Sequence, residues 1–256
     1  MILHRLALVA LLAVGLTVNF AAAQTAAPAK PEAKPAAKPP AKPAITVPTT
    51  EPVNRDGARH QLINSRAIPG QVDLLFIGDS ITQGWEGAGK EAWEKYFGQR
   101  KPMNAGIGGD RTQHILWRLD NGNIKGISPK AAVLMIGTNN SGVNNSEEIA
   151  AGITAIVAKL RKELPETKIL LLAIFPRGAD KTSPQRKVNE GANAIIAKMA
   201  DDQSVFFMDL APKFLAEDGT LSKEIMPDLL HLSPKGYEIW ASSIDGKVAE
   251  LLGEKK

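Results

Sequence analysis

Short, continuous apolar runs alternate along this chain with stretches whose apolar residues recur every three or four positions. VDLLFIG (72–78), AAVLMIG (131–137), KILLLAIF (168–175) and SVFFMDL (204–210) are runs of the first kind, and PMNAGIGG (102–109) is a weaker fifth. Each has the length of a strand and lacks a polar face, as a strand covered on both sides of a sheet must. Between them, Ile149, Ile153, Ile156, Val157, Leu160 and Leu164 form a helical stripe that Pro165 stops. Val188, Ala192, Ile195, Ile196 and Met199 form a second stripe. Tyr237, Trp240, Ala241, Ile244, Val248, Leu251 and Leu252 form the last. The alternation predicts an α/β domain with about five parallel strands, doubly wound.

In open α/β sheets, sites form beyond the C-terminal ends of the strands. Gly78-Asp79-Ser80 follows the first run, Gly106-Ile107-Gly108-Gly109-Asp110 the second, and Gly137-Thr138-Asn139-Asn140 the third. A single polar turn is ordinary, since Gly, Asp, Ser and Asn are turn formers. Three on one edge suggest a site.

Composition divides the chain of 256 residues. Residues 1–23 place Arg5, an apolar run from Leu6 to Phe20, and Ala21-Ala22-Ala23 before Gln24. That is the layout of a secretory signal peptide with an A-x-A cleavage site, and the run falls short of the ~20 apolar residues of a membrane span. Residues 24–50 are a Pro/Ala/Lys repeat that cannot bury enough surface to fold and reads as a semi-stiff spacer. Residues 51–256 are then the domain. The expectation is an exported bacterial protein, periplasmic or secreted, with no transmembrane segment once processed.

The net charge of +4 belongs to the tail. Setting aside Arg5, the four spacer lysines and Glu32 leaves 26 basic and 26 acidic residues in the domain, so charge gives no support for nucleic-acid binding. There is no cysteine, which excludes disulfides, thiolate metal sites and cysteine nucleophiles. G-x-S-x-G, H-E-x-x-H and the P-loop pattern are all missing. No cofactor or metal is expected.

A serine nucleophile needs a base, and the base needs an orienting partner. Of four histidines, His4 lies in the signal segment, His60 in the lead-in, and His114 in RTQHILWRL, a helix in which it packs or caps. His231 lies in PDLLHLSPKGY, with Asp228 three residues before it and Ser233-Pro234 as the expected start of the last helix. Ser80, His231 and Asp228 are therefore candidates for nucleophile, base and orienting acid. The Ser80 and Gly109 backbone N–H groups and the Asn139 side chain are candidate donors to an oxyanion. Asp79 reads as a turn residue behind the serine, with bonds to backbone amides as the sharper option. Arg111 and Arg177 read as solvated surface residues, with contact to an anionic substrate as the alternative.

The four blocks GDS, GIGGD, GTNN and D-x-x-H, in that order, resemble the SGNH or GDSL hydrolase superfamily. NAGIGGDRTQHILWRLDNG, IGTNN, PRG (176–178) and DLLHLSPKGY resemble most closely its platelet-activating-factor acetylhydrolase Ib catalytic-subunit branch. The likeness covers roughly residues 70–252 and departs twice: GDSI replaces the literal GDSL, and the signal and Pro/Lys spacer do not belong to the cytosolic animal enzymes, so their lipid substrate does not carry over with them. It implies a flavodoxin-like fold and a serine esterase in which Ser80, Asp228 and His231 are catalytic, and Ser80, Gly109 and Asn139 form the oxyanion hole. Short acyl esters, acetyl above all, are the implied substrates, and the exported setting favours acetylated glycan as the alcohol half. Phospholipid esters and non-catalytic glycan binding are the alternatives. Pairing in the related animal enzymes hints at a homodimer.

Overall fold

The computed structural model describes residues 47–255. The expected signal segment and the expected spacer up to residue 46 lie outside the described residues. Five parallel strands form one sheet in the order β2-β1-β3-β4-β5. They are β1 Leu74–Gly78, β2 Pro102–Gly106, β3 Ala131–Met135, β4 Lys168–Leu172 and β5 Val205–Met208. The helices are α1 Ala58–Arg66, α2 Ser80–Gln83, α3 Lys90–Tyr96, α4 Thr112–Asp120, α5 Ser146–Glu163, α6 Pro184–Ile196, α7 Ala211–Phe214 and α8 Pro234–Leu252.

The expected strands are all present, but the ladder ends earlier than the apolar runs do. Ile136, Ala173, Ile174 and Phe175 lie beyond their strands and are still at most 2 % exposed. These residues are apolar because helices cover them, and hydrophobicity alone does not distinguish that from pairing. β2 reads weakly because it carries a buried polar residue, Asn104, whose Oδ1 accepts from Gly106 N at 2.9 Å.

Side chains alternate across each strand. Leu75, Ile77, Leu134 and Leu171 face a core shared with α4, α5 and α6 through Ile115, Ile153, Ile156 and Ala192. Leu74, Phe76, Val133 and Leu170 face a second core with Trp85, Phe97, Trp240 and Ile244. Trp85 and Trp240 rings stand 4.6 Å apart and Phe76 meets both.

Local chemistry sets the long helices. Asn145 caps α5, accepting from Glu148 N at 2.8 Å, while Glu148 returns a bond to Asn145 N. Ser233 caps α8, Pro234 is its first residue, and Gly253 ends it at φ 74°. The second apolar stripe divides, with α6 ending at Ile196 and Met199 lying in a 3₁₀ turn.

Packing also reaches back to Val47. Thr49 is buried, its carbonyl accepts from Thr112 Oγ1 at 3.0 Å, and Val47 O accepts from Gln113 Nε2 at 2.9 Å. Among the described residues, no helix is long and apolar enough to cross a membrane.

Candidate active site

β1 stops at glycine because its last residue is crowded on two sides. A Cβ on Gly78 would stand 2.1 Å from Thr82 Oγ1 and 2.5 Å from Met135 O. At the end of β2, a Cβ on Gly106 would stand 2.2 Å from Gln83 N. The turn after β1 is thus packed backbone to backbone between β2 and β3. Asp79 caps that turn, its Oδ1 accepting from Ile81 N at 3.0 Å, and Ser80 is the first residue of α2. The first N–H groups of a helix have no intrahelical partner, which leaves the Ser80 N–H available.

Ser80 meets a loop 151 residues away: its Oγ lies 2.9 Å from His231 Nε2. His231 Nδ1 lies 2.6 Å from Asp228 Oδ2. Asp228 Oδ1 accepts from the backbone N–H of His231 at 2.7 Å and of Leu230 at 3.0 Å. One carboxylate therefore shapes the loop with one oxygen and orients the imidazole with the other. Partial burial raises the Asp228 pKa, but the bonds from the His231 ring and the loop amides outweigh it and hold the carboxyl below its usual range. The His231 and Asp228 side chains are 45 % and 56 % exposed, so the site opens to solvent.

The other two turns converge on the same edge. Gly109 has φ 79°, a conformation that favours glycine. The preceding Gly108 N–H is held by Gln83 Oε1 at 2.7 Å, which ties this turn to α2. Asn139 Nδ2 donates to Asp110 O at 2.9 Å, which joins the β3 turn to the β2 turn. An amide has two N–H groups, so one remains for a ligand.

Ser80, His231 and Asp228 are thus linked, the turns of Gly109 and Asn139 lie beside one another at the same edge, and an ion-paired cluster stands behind them. Asp110 is fully buried between Arg55 Nε at 2.6 Å and Arg118 Nε at 2.8 Å. Arg118 also donates to the Gly78 carbonyl at 3.4 Å and to Asn123 Oδ1. Arg177 is a correction: it is half-buried, and its Nη1 donates to Thr138 O at 2.9 Å and Thr138 Oγ1 at 3.2 Å. Arg118 stands in LWRL and Arg177 in PRG, both within the family-like blocks, but nothing in those blocks specified what they hold.

Asp79 is fully buried and its Oδ2 has no hydrogen-bond partner among the described residues. Burial pushes its carboxyl up to about 7, with Asp110 adding to the rise and the Ile81 N–H, His231 and Arg177 opposing it. The other two histidines among the described residues are held in local hydrogen bonds. His60 is buried beside Asn64 and Asn123, and His114 Nδ1 accepts from Arg111 N at 3.0 Å. Among the described residues, no cluster of three or more His, Cys, Asp or Glu is placed to hold a metal ion.

A doubly wound parallel sheet with a Ser-His-Asp chain across its C-terminal edge, and the Gly109 and Asn139 turns beside it, is the arrangement of serine hydrolases that lack a nucleophile elbow. Residues 76–239 match the GDSL-like lipase/acylhydrolase family, and the chain belongs to it. It is 37 % identical over 183 residues to platelet-activating factor acetylhydrolase IB subunit alpha1 of Homo sapiens, covering 71 % of this chain and 78 % of that protein. The fold is shared with a GDSL-like lipase from Bacteroides thetaiotaomicron, at TM-score 0.59 and 20 % identity over 75 % of this chain and 96 % of that one. It is shared too with a carbohydrate acetylesterase from Sinorhizobium meliloti, at TM-score 0.56 and 18 % identity over 70 % and 99 %.

Proposed function

We propose that the protein hydrolyses short-chain carboxylic esters, acetyl esters first, through an acyl-enzyme on Ser80. The observation that carries this reading is the continuous hydrogen-bonded chain from Ser80 Oγ through His231 to Asp228. His231 Nε2 takes the hydroxyl proton as Oγ attacks the ester carbonyl carbon. The carbonyl oxygen becomes an oxyanion, met by the Ser80 and Gly109 N–H groups and the free Asn139 amide N–H. Collapse breaks the bond to the alcohol oxygen, which leaves with the proton from Nε2. Water then attacks the acyl-enzyme, His231 takes its proton, and the second collapse returns that proton to Ser80 and frees the acid.

Acetyl is the acyl group named for the relative at 37 % identity. For the alcohol half we favour carbohydrate. The half-exposed Asp228 and His231 leave the triad open to solvent, which suits an ester with a bulky polar alcohol. An exported setting, expected from residues 1–23, would expose the enzyme to acetylated glycans. A phospholipid alcohol is the second reading, favoured by that same relative's name.

The test is turnover of acetyl, butyryl and octanoyl p-nitrophenyl esters by wild type and Ser80→Ala, followed by acetate release from acetylated oligosaccharide and from a 2-acetyl phospholipid. The expected result is acetyl preference, abolished by Ser80→Ala, with faster release from the sugar. Wild-type turnover in purified Ser80→Ala would overturn the mechanism, and faster release from the lipid would overturn the carbohydrate reading.

A further inference from the structure

Arg186 is 1 % exposed on α6 and, among the described residues, gives its hydrogen bonds to backbone carbonyls rather than to a carboxylate. Its Nε donates to Arg177 O at 2.9 Å, its Nη2 to Gly178 O at 2.7 Å and its Nη1 to Gly219 O at 2.6 Å. A buried cation is costly unless its donors are met, and a planar guanidinium can meet several carbonyls in fixed directions where an ammonium cannot. This one is spent on fixing a backbone.

Arg177-Gly178 in turn reaches two neighbouring loops, one through its backbone and one through the Arg177 side chain. The Gly178 N–H donates to Leu229 O at 2.9 Å. Leu229 is the first residue after Asp228 and holds a left-handed φ of 61°, which a leucine adopts only where its surroundings enforce it. The Arg177 side chain donates in the other direction, to the carbonyl of Thr138, the residue before Asn139. Gly178 itself sits at φ 73°, and a Cβ there would stand 2.4 Å from Ser183 Oγ.

We propose that Arg186, acting through Arg177-Gly178, is a positioning residue that sets the Asp228-to-His231 loop and the Asn139 turn in register with each other. It touches neither Ser80 nor His231. The loop's strained Leu229 is held at its carbonyl by Gly178, Gly178 is held by Arg186, and the same clamp fixes the arm that reaches Thr138. The two halves of the site, proton transfer and oxyanion binding, then share one frame anchored on α6. The proposal rests on the hydrolase reading for its kinetic consequences, but the geometry of the loop can be read without turnover.

The test compares wild type, Arg186→Lys and Arg177→Met in the full chain by two measurements. One is kcat and KM on an acetyl ester, normalised to folded protein. The other is the NMR signal of the His231 Nδ1–H proton bonded to Asp228. Arg186→Lys should lower kcat by roughly tenfold to a hundredfold with KM changed by less than about twofold, and should broaden or remove the His231 signal. Arg177→Met should lower kcat while keeping that signal, shifted but neither broadened nor lost, because its side chain hydrogen-bonds to Thr138 and reaches Asp228 only through its charge. The half-buried Arg177 variant keeps the test decisive if Arg186→Lys does not fold. Wild-type kcat in either folded variant would overturn the proposal, as would an unchanged His231 signal in folded Arg186→Lys. A wild type inert on every ester, yet showing a His231 signal that Arg186→Lys abolishes, would sink the hydrolase reading and leave the positioning role standing.

Discussion

Tyr237 Oη donates to the Ile81 carbonyl at 2.6 Å, joining the first turn of α8 to the residue that follows Ser80. The helix that starts just after His231 is thereby bolted to the turn that starts at Ser80. The fit is close, since a Cβ on Gly84 would stand 2.0 Å from that hydroxyl. Tyr237→Phe keeps the ring packing on Trp85 and Trp240 and leaves the buried Ile81 carbonyl short of a donor. The expected cost is about 1–2 kcal/mol, a melting shift of roughly 2–8 °C, with a smaller fall in kcat. Thermal unfolding of the two proteins checks it, and identical curves would refute it.

The sheet, the three long helices and the residues that meet at its edge were legible in the sequence because each left a local mark. Continuous apolar runs marked the strands, stripes marked α5, α6 and α8, and turn residues stood at the strand ends. What stayed hidden was set by contacts distant in sequence. Arg186 lies in QRKVN, whose polarity reads as a solvated helix face, yet its guanidinium is buried because three carbonyls meet there. Arg177 was misread for the same reason. The short helices α2, α3 and α7, at four, seven and four residues, carry too few turns to show a period. The Ser80, His231 and Asp228 set was singled out by the scarcity of histidine together with the resemblance of the GDS, GIGGD, GTNN and D-x-x-H blocks, and the structure hydrogen-bonds the three to one another.

Asp228→Asn separates orientation from charge. Asn can still accept from the His231 and Leu230 amides through its oxygen, so the loop keeps its shape. Its NH₂ then faces His231 Nδ1 and favours the tautomer with the proton on Nε2, which cannot act as base toward Ser80. We expect kcat to fall by roughly a thousandfold or more with little change in KM. Because the Asp228 carboxyl is held below its usual range, it stays ionised through the neutral region. The acid limb of the wild-type rate profile should therefore not arise from Asp228. Near-normal kcat in Asp228→Asn would contradict this role.

Asp79 makes stability depend on pH in the direction opposite to most carboxylates. Its folded pKa of about 7 lies above the ordinary 3.8, so between those values the folded state binds more protons than the unfolded chain. Its contribution is fully present below pH 3.8 and is lost as pH rises through about 7. The total is roughly 4 kcal/mol, with no solvent screening to reduce it because the group is fully buried. Asp79→Asn cannot ionise and should lack this decline. Urea unfolding should find the variant gaining on wild type from pH 4 to pH 8. Parallel stability curves would show that Asp79 does not titrate there.

The ion pair behind the Gly109 turn should respond asymmetrically to mutation. Asp110 is fully buried between two arginines, whereas Arg118, also buried, has Asp110 as its ion-pair partner among the described residues. Asp110→Ala strands the Arg118 guanidinium in the interior, at a cost of roughly 3–5 kcal/mol. Arg118→Met costs less, because Arg55 still meets the carboxylate at 2.6 Å. Burial already lowers the Arg118 pKa, with Asp110 opposing it, so losing Asp110 removes the group that keeps the charge tolerable. Combining Asp110→Leu with Arg118→Met should recover most of the lost stability, since an apolar pair of similar volume avoids both desolvation costs. Activity should not recover with it. Asn139 hangs on the Asp110 carbonyl, and a turn no longer clamped by two arginines will not hold that carbonyl in place. Urea unfolding and ester turnover on the same three proteins decide the matter: stability and kcat recovering together would show that the ion pair serves folding alone.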